Sequence, residues 1–224
     1  MSRYCLQLFE DRLEPHSPPV YLPSAARALY VREGGVQIEK ADSARHVAGG
    51  AAWLGDGPLA LATAADGCTV WRWELVGEAR PSSGHLATAP TARSAEKLAS
   101  VIELDDAQDW LMRLDRVTFP PGGVALTHVH QGPGIRCVLR GEITIVANGA
   151  SETRRAGEAW LELGHEPVLA PTTDAESTTF IRCMLLPRAC KGRPSIRYVR
   201  AEDRAKPKPQ DYLVFGERFV TLPR

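Results

Sequence analysis

Two histidines stand two residues apart in Thr127-His128-Val129-His130, between Pro120-Pro121-Gly122-Gly123 and Gly132-Pro133-Gly134. Side chains two apart on a β-strand share a face. Both imidazoles therefore aim at one point, which is how a β-scaffold holds a metal ion. Two imidazoles alone hold a metal weakly, and a catalytic site usually takes a third protein ligand. Glu162 and His165 are the candidates. Glu162 shares a strand face with Trp160, and with the two histidines it completes a 2-His-1-carboxylate set, the arrangement of non-haem iron oxygenases; the alternative is a surface acid on a hairpin. His165 lies in a loop beside Glu166 and Pro167. Gln131 directly follows the pair and is placed to hydrogen-bond a water on the metal.

Arg136 has the parity of the histidine face. A guanidinium inside an apolar core must find a partner, because an unpaired buried charge is very costly. Two readings are open. Arg136 binds a substrate carboxylate bidentately beside the metal, or it is held in an internal ion pair with Glu162 or turned to solvent by a one-residue register shift. His16, His46 and His85 fit no ligand pattern and are read as surface or loop histidines.

The elements that must position these groups are strands. Short apolar or alternating runs are punctuated by 19 glycines and 17 prolines, the rhythm of a sandwich or barrel. One short helix is expected at residues 91–100, rich in helix formers, after a loose linker at 79–90. On either side of that linker the chain repeats. Ala28-Leu29-Tyr30-Val31-Arg32-Glu33-Gly34 matches Ile135-Arg136-Cys137-Val138-Leu139-Arg140-Gly141, and Gly50-Ala51-Ala52-Trp53 matches Gly157-Glu158-Ala159-Trp160. Both pairs of landmarks are 107 residues apart. Trp71-Arg72-Trp73 is echoed by Ile181-Arg182-Cys183. By the same offset, His128 and His130 correspond to Tyr21 and Pro23.

The glycine frame around the histidines resembles the first cupin motif. Gly122 is followed by five residues and then His128-Val129-His130, and Gly141 stands at the closing glycine. The motif's glutamate position falls on Gly134. Gly157 opens the second motif, whose proline and histidine positions fall on Leu163 and Val168. The resemblance implies an all-β fold of two tandem cupin barrels (double-stranded β-helix, or jelly-roll) with one short linking helix. It divides the chain into an N-terminal barrel without metal (1–80), a linker and short helix (81–104), a C-terminal barrel with the metal site (105–187) and a tail (188–224). The tail is expected to pack across the other domain or a second subunit, where it would cover sheet edges. The implied cofactor is one divalent metal ion, iron or alternatively zinc, manganese or nickel, held by His128, His130 and Glu162 or His165. Arg136 and Glu162 are the expected catalytic residues.

The expected function is a metal-dependent enzyme acting on a small, carboxylate-bearing molecule, with a non-haem iron dioxygenase as first choice. A redox-neutral isomerase or lyase and a non-catalytic small-molecule-binding bicupin are the alternatives, because fold alone does not select a reaction.

Composition narrows the partners. The chain has 224 residues, 44% hydrophobic and 24% charged, as in an ordinary globular protein, and 27 Lys and Arg balance 27 Asp and Glu. A neutral chain has no electrostatic handle for phosphate backbones or anionic membranes. The five cysteines show no Cys-x-x-Cys spacing. With a charged N-terminal stretch, they read as reduced thiols of a cytoplasmic protein. A homodimer is expected from the sheet edges of such a fold.

Overall fold

A computed structural model describes residues 1–78 and 91–223. The linker expected at 79–90 and His85 lie outside the described residues. The chain divides into two compact units, residues 1–107 with 220–224 and residues 108–219. No helix among the described residues is long and apolar enough to cross a membrane.

The first unit is a curled antiparallel sheet of seven strands. They are β1 (Ser2–Leu13), β2 (Val20–Leu22), β3 (Ala26–Lys40), β4 (Ser43–Ala48), β5 (Ala52–Gly55), β6 (Leu59–Gly77) and β7 (Ala92–Leu104). The order is β4-β3-β6-β1-β7, with β2 on β6 and β5 on β3. Strands β3 and β6 are long and turn a corner together at Gly34 and Gly67. Gly34 has φ +73°, and a Cβ there would lie 2.1 Å from the Gly67 carbonyl oxygen, so only glycine fits. Val20, Leu22, Leu29, Val31, Leu61 and Val70 fill the interior, with Trp53 packed against them.

The helix expected at 91–100 is instead the first part of β7, which pairs with β1 along its whole length. Leu98, Val101 and Ile102 fit a helical stripe, but Leu98, Ser100, Ile102 and Leu104 also alternate, and the last two are buried while Val101 and Glu103 are exposed. The open edge of β1 decides between the two patterns, since each residue placed there gains ladder bonds that propensity alone does not match. Ser94 Oγ donates to Asp11 Oδ1 at 2.6 Å and fixes the strand.

The second unit has two five-stranded sheets. Its strands are β8 (Trp110–Phe119), β9 (Val124–His130), β10 (Gly134–Arg140), β11 (Glu142–Ala147), β12 (Ala150–Arg155), β13 (Ala159–Glu162), β14 (Val168–Pro171), β15 (Thr178–Pro187), β16 (Ile196–Tyr198) and β17 (Asp211–Val220). One sheet runs β13-β10-β15-β8-β17 and the other β12-β11-β14-β9-β16. The repeat is visible in this pattern. Strand β3 is matched by β10 and β11, and β6 by β14 and β15, with Gly141 (φ +80°) at the corner that Gly34 turns in the first unit. Val117, Phe119, Ile143, Trp160, Val168 and Phe180 pack between the sheets.

Residues 220–224 at the end of the tail group with the first unit, and the rest of the tail belongs to the second. This larger part pairs on its own barrel, β16 against β9 and β17 beside β8. Both strands to which it pairs are otherwise edges, and a segment of the same chain reaches them without an association cost.

Candidate metal centre

Strand β9 holds the two histidines and turns both inward; they are 5% and 7% exposed. Their rings stand edge-to-face with centroids 4.8 Å apart. His128 Nδ1 is bonded to the Leu126 carbonyl oxygen at 2.8 Å, which makes it the protonated nitrogen and leaves Nε2 with its lone pair free. His130 Nδ1 faces Ser195 Oγ at 3.4 Å, so the tail residue next to β16 orients this ring. Gln131 is exposed, and Ser195 rather than Gln131 is the polar neighbour of the pair.

The third member of the group is Glu162. Among the described residues, His128, His130 and Glu162 form a cluster whose ligand atoms all lie within 4.8 Å of one another. His165 is exposed and outside this cluster. It sits past Gly164, where the backbone has φ +98° and a Cβ would lie 2.5 Å from the Gly132 carbonyl oxygen. Of the two candidates for third ligand, the structure brings in the carboxylate only.

The register explains how an acid reaches the centre although its motif position is Gly134. In the ladder of β10 and β13, Gly134 lies directly opposite Glu162. A Cβ at Gly134 would lie 2.5 Å from the Cys183 carbonyl oxygen, so β15 leaves no room for a side chain there. The carboxylate is supplied instead by the residue across the ladder. Trp160 Nε1 donates to Glu162 Oε1 at 2.8 Å, and Trp160 is itself fixed edge-on against Phe180.

One row of inward side chains crosses the sheet from β13 to β8: Trp160, Arg136, Arg182 and Asp115. Arg136 takes the internal ion pair. Its Nη2 is 2.7 Å from Glu162 Oε2, and its Nη1 donates to the Gly134 carbonyl oxygen at 2.5 Å. Arg182 is held by Asp115 through two hydrogen bonds of 2.9 and 2.8 Å, and its Nη1 reaches within 3.4 Å of His130 Nε2. Asp115, Arg182 and Ser195 were not singled out in the sequence. The available signal was the repeat, because Arg182 stands in the segment echoed by Arg72, which is itself buried and paired with Asp11.

These charges set the protonation of the cluster. Burial holds the His130 imidazole well below its ordinary range, and Arg182, Arg136 and His128 push the same way. Burial also lowers His128, partly offset by the Glu162 carboxylate. For Glu162 burial favours the neutral acid, but Arg136, His128, Trp160 and Arg182 outweigh it and keep the carboxyl below its ordinary value. Two neutral imidazoles and one ionised carboxylate are the protonation states that a divalent metal requires. The donor set therefore fits such an ion. The spread of the cluster is wider than the roughly 3 Å between neighbouring ligand atoms when bonds are about 2.1 Å, so the side chains must draw together on loading. A carboxylate has lone pairs for both Arg136 and a metal.

The first unit shows what the same scaffold does without the donors. Pairing of Leu61 with Val20 corresponds to pairing of Val168 with His128. The residues equivalent to His128 and His130 are thus Val20 and Leu22, one position off the expected Tyr21 and Pro23; Tyr21 is 77% exposed. Gly55 stands where Glu162 does in the repeat, and a Cβ on it would lie 2.3 Å from the Trp53 ring. The indole fills the place that the carboxylate takes in the second unit. Leu29 stands in place of Arg136.

No family model matches the chain, and no curated protein matches it. Solved structures do. A serine variant of Bacillus subtilis oxalate decarboxylase aligns with a TM-score of 0.58 at 12% identity over 80% of this chain and 68% of that one. The same enzyme at pH 4.6 gives 0.57 at 11% identity over 80% and 67%. The 11S allergen of Cocos nucifera gives 0.57 at 8% identity over 84% and 85%. These likenesses show that the fold is the cupin jelly roll, arranged as a bicupin.

Proposed function

We propose that this bicupin is a metal-dependent enzyme acting on a small carboxylate, with oxygen-dependent cleavage as its reaction. The observation that supports this is the convergence of His128, His130 and Glu162 in a buried cluster with the protonation states a divalent ion needs. A bound ion of the iron class would supply Lewis acidity and open positions for dioxygen and substrate.

The protein's own groups provide the rest. His128, pinned by Leu126, presents the lone pair of its Nε2, and Ser195 lies against the His130 ring. Arg136 and Trp160 hold the Glu162 carboxylate in place from two sides. The free interior beside the cluster is about 20 Å³, room for one water-sized group, with Val117, Phe119, Ala125 and Phe180 among its walls, so bulk water is kept out.

Charge favours an anionic substrate. Around the cluster, Arg136 and Arg182 are balanced by Glu162 and Asp115. A dication would add two positive charges beyond what Glu162 and Asp115 offset, and a substrate carboxylate would supply part of the missing negative charge. Both guanidiniums are held in ion pairs, Arg136 by Glu162 and Arg182 by Asp115, and Arg182 is the one whose Nη1 lies next to His130 Nε2.

Redox-neutral loss of carbon dioxide is the second reading, favoured by structural neighbours that are named oxalate decarboxylase. The two are separated by incubating iron- or manganese-loaded protein with a panel of small carboxylates while recording oxygen uptake and carbon dioxide release. Substrate-dependent oxygen uptake supports cleavage by dioxygen. Carbon dioxide release without net oxygen uptake would replace it with the redox-neutral reading. No turnover with any loaded metal would count against an enzyme.

A further inference from the structure

His130 has a polar neighbour at each ring nitrogen. Arg182 Nη1 lies 3.4 Å from its Nε2, and Ser195 Oγ lies 3.4 Å from its Nδ1. A guanidinium has donors and no acceptor, so Nε2 is the nitrogen with the lone pair and Nδ1 carries the proton. Ser195 Oγ accepts from Nδ1 and itself donates to Met184 Sδ at 3.7 Å. One directed chain of hydrogen bonds thus runs from Arg182 through His130 and Ser195 to Met184.

The lone pair that accepts from Arg182 is the one a metal ion would need. A metal–nitrogen bond is about 2.1 Å long, shorter than the 3.4 Å to Nη1, so an ion on this lone pair would stand inside contact distance of the guanidinium. Two cations would also meet there with little water to screen them. One lone pair therefore has two mutually exclusive partners.

Arg182 is the cation placed to give way. Among the described residues, Arg136 borders the space of about 20 Å³ beside the cluster but not the larger cleft between the tail and the barrel, and its guanidinium is held by Glu162 and by the Gly134 carbonyl oxygen. Arg182 and its partner Asp115 both line that cleft, which measures about 730 Å³. Asp115 accepts from Nε and Nη2 of Arg182 at 2.9 and 2.8 Å, and Nη1 is the corner left for His130. The guanidinium carbon lies 5.7 Å from the Tyr212 ring centre, so the cleft wall offers it an aromatic face. A turn about the Asp115 pair toward Tyr212 gives up one hydrogen bond and keeps the buried ion pair.

We propose that Arg182 is a positioning residue that caps His130 Nε2 in competition with the metal ion, so that the centre loads only when the guanidinium turns off the imidazole toward the cleft. The inference rests on the reading of His128, His130 and Glu162 as a metal centre and adds the control of its loading. Capping keeps His130 in the tautomer that a metal requires, and it lowers the affinity for the metal.

The test is the Zn(II) affinity of the full chain, measured by competition with a chromogenic chelator. Wild type is compared with Asp115→Val/Arg182→Met, which replaces the buried pair by apolar side chains. It is also compared with Arg182→Lys, which keeps the charge but gives up the fork that reaches Asp115 and His130 together. Circular dichroism establishes that each protein is folded. The expected result is binding about tenfold tighter or more in the double variant, with Arg182→Lys between it and wild type. Adding His130→Ala to the double variant should remove the gain. A residue that merely held the fold would lower the affinity when replaced, so a gain is the mark of competition. Affinities within about twofold of wild type, or weaker, in both variants would overturn the proposal. So would an unchanged Arg182→Lys beside a tighter double variant, which would leave charge repulsion as the cause. If the double variant does not fold, Arg182→Lys alone decides, a gain above about twofold supporting the proposal. Equal binding in all the proteins removes the competition alone, whereas no Zn(II) binding in any of them removes the metal centre and the competition with it.

Discussion

Glu162 and Arg136 meet 2.7 Å apart inside the second barrel, and the same carboxylate is 3.7 Å from His130 Nε2. One acid therefore serves two purposes. It compensates a buried guanidinium, and in the proposed function it would be the third donor beside the histidines. Breaking a buried pair by removing one partner leaves an uncompensated charge.

Glu162→Leu should therefore destabilise the protein by about 3–5 kcal/mol and also abolish metal retention. The double variant Arg136→Met/Glu162→Leu should recover most of the stability without recovering the metal. Chemical denaturation of the two single variants and the double variant gives the cycle. Additive losses in that cycle would show that the pair is not coupled.

In the first barrel the place of Glu162 is taken by an indole. A Cβ on Gly55 would lie 2.3 Å from two atoms of the Trp53 ring. Gly55→Ala should cost about 1–3 kcal/mol through overpacking, and Trp53→Leu in the same chain should remove most of that penalty. The check is the thermal unfolding midpoint of the three variants. An unchanged midpoint for Gly55→Ala would mean that the indole does not occupy this space.

Glu10 gives the pH dependence a definite sign. Burial pushes its carboxyl up, but Arg12, Trp71, Lys97 and Arg32 outweigh burial and bring it from the ordinary value of 4.5 to about 2. A lowered carboxyl stabilises the fold above its unfolded value, and this stabilisation is lost as pH falls from about 4.5 towards 2. Glu10→Gln should cost up to about 3 kcal/mol at pH 7, and the gap from wild type should close near pH 2. Denaturation curves across that range decide it, and a gap independent of pH would show that the carboxylate charge contributes nothing.

His165→Ala should leave metal content and stability unchanged, because the side chain is exposed beyond the Gly164 turn. Loss of metal in this variant, measured by mass spectrometry, would bring His165 back as a ligand.

The sequence carried the architecture well because the repeat keeps its landmarks at corners. Gly34 and Gly141 must be glycine for backbone reasons, and Trp53 and Trp160 hold equivalent core places, so both pairs survive at one offset. The histidine face was legible from parity alone. What stayed hidden depends on contacts between distant strands. Arg136 had two partners open to it until the ladder set Glu162 opposite Gly134. Asp115 and Arg182 lie 67 residues apart and meet only through the pairing of β8 with β15. The offset slips by one residue before β3, which moved the counterpart of His128 from Tyr21 to Val20. Residues 91–100 read as a helix because helix formers fill them, and only the open edge of β1 shows why they are a strand.

Metal content of the purified chain, measured by mass spectrometry beside a His128→Ala/His130→Ala variant, tests the metal centre most directly. The expected result is near-stoichiometric divalent metal in the wild type, as isolated or after reconstitution with Fe(II) or Zn(II), and none in the variant. Wild-type protein that stays empty after reconstitution, or a variant that retains the metal, would contradict a centre built on His128, His130 and Glu162.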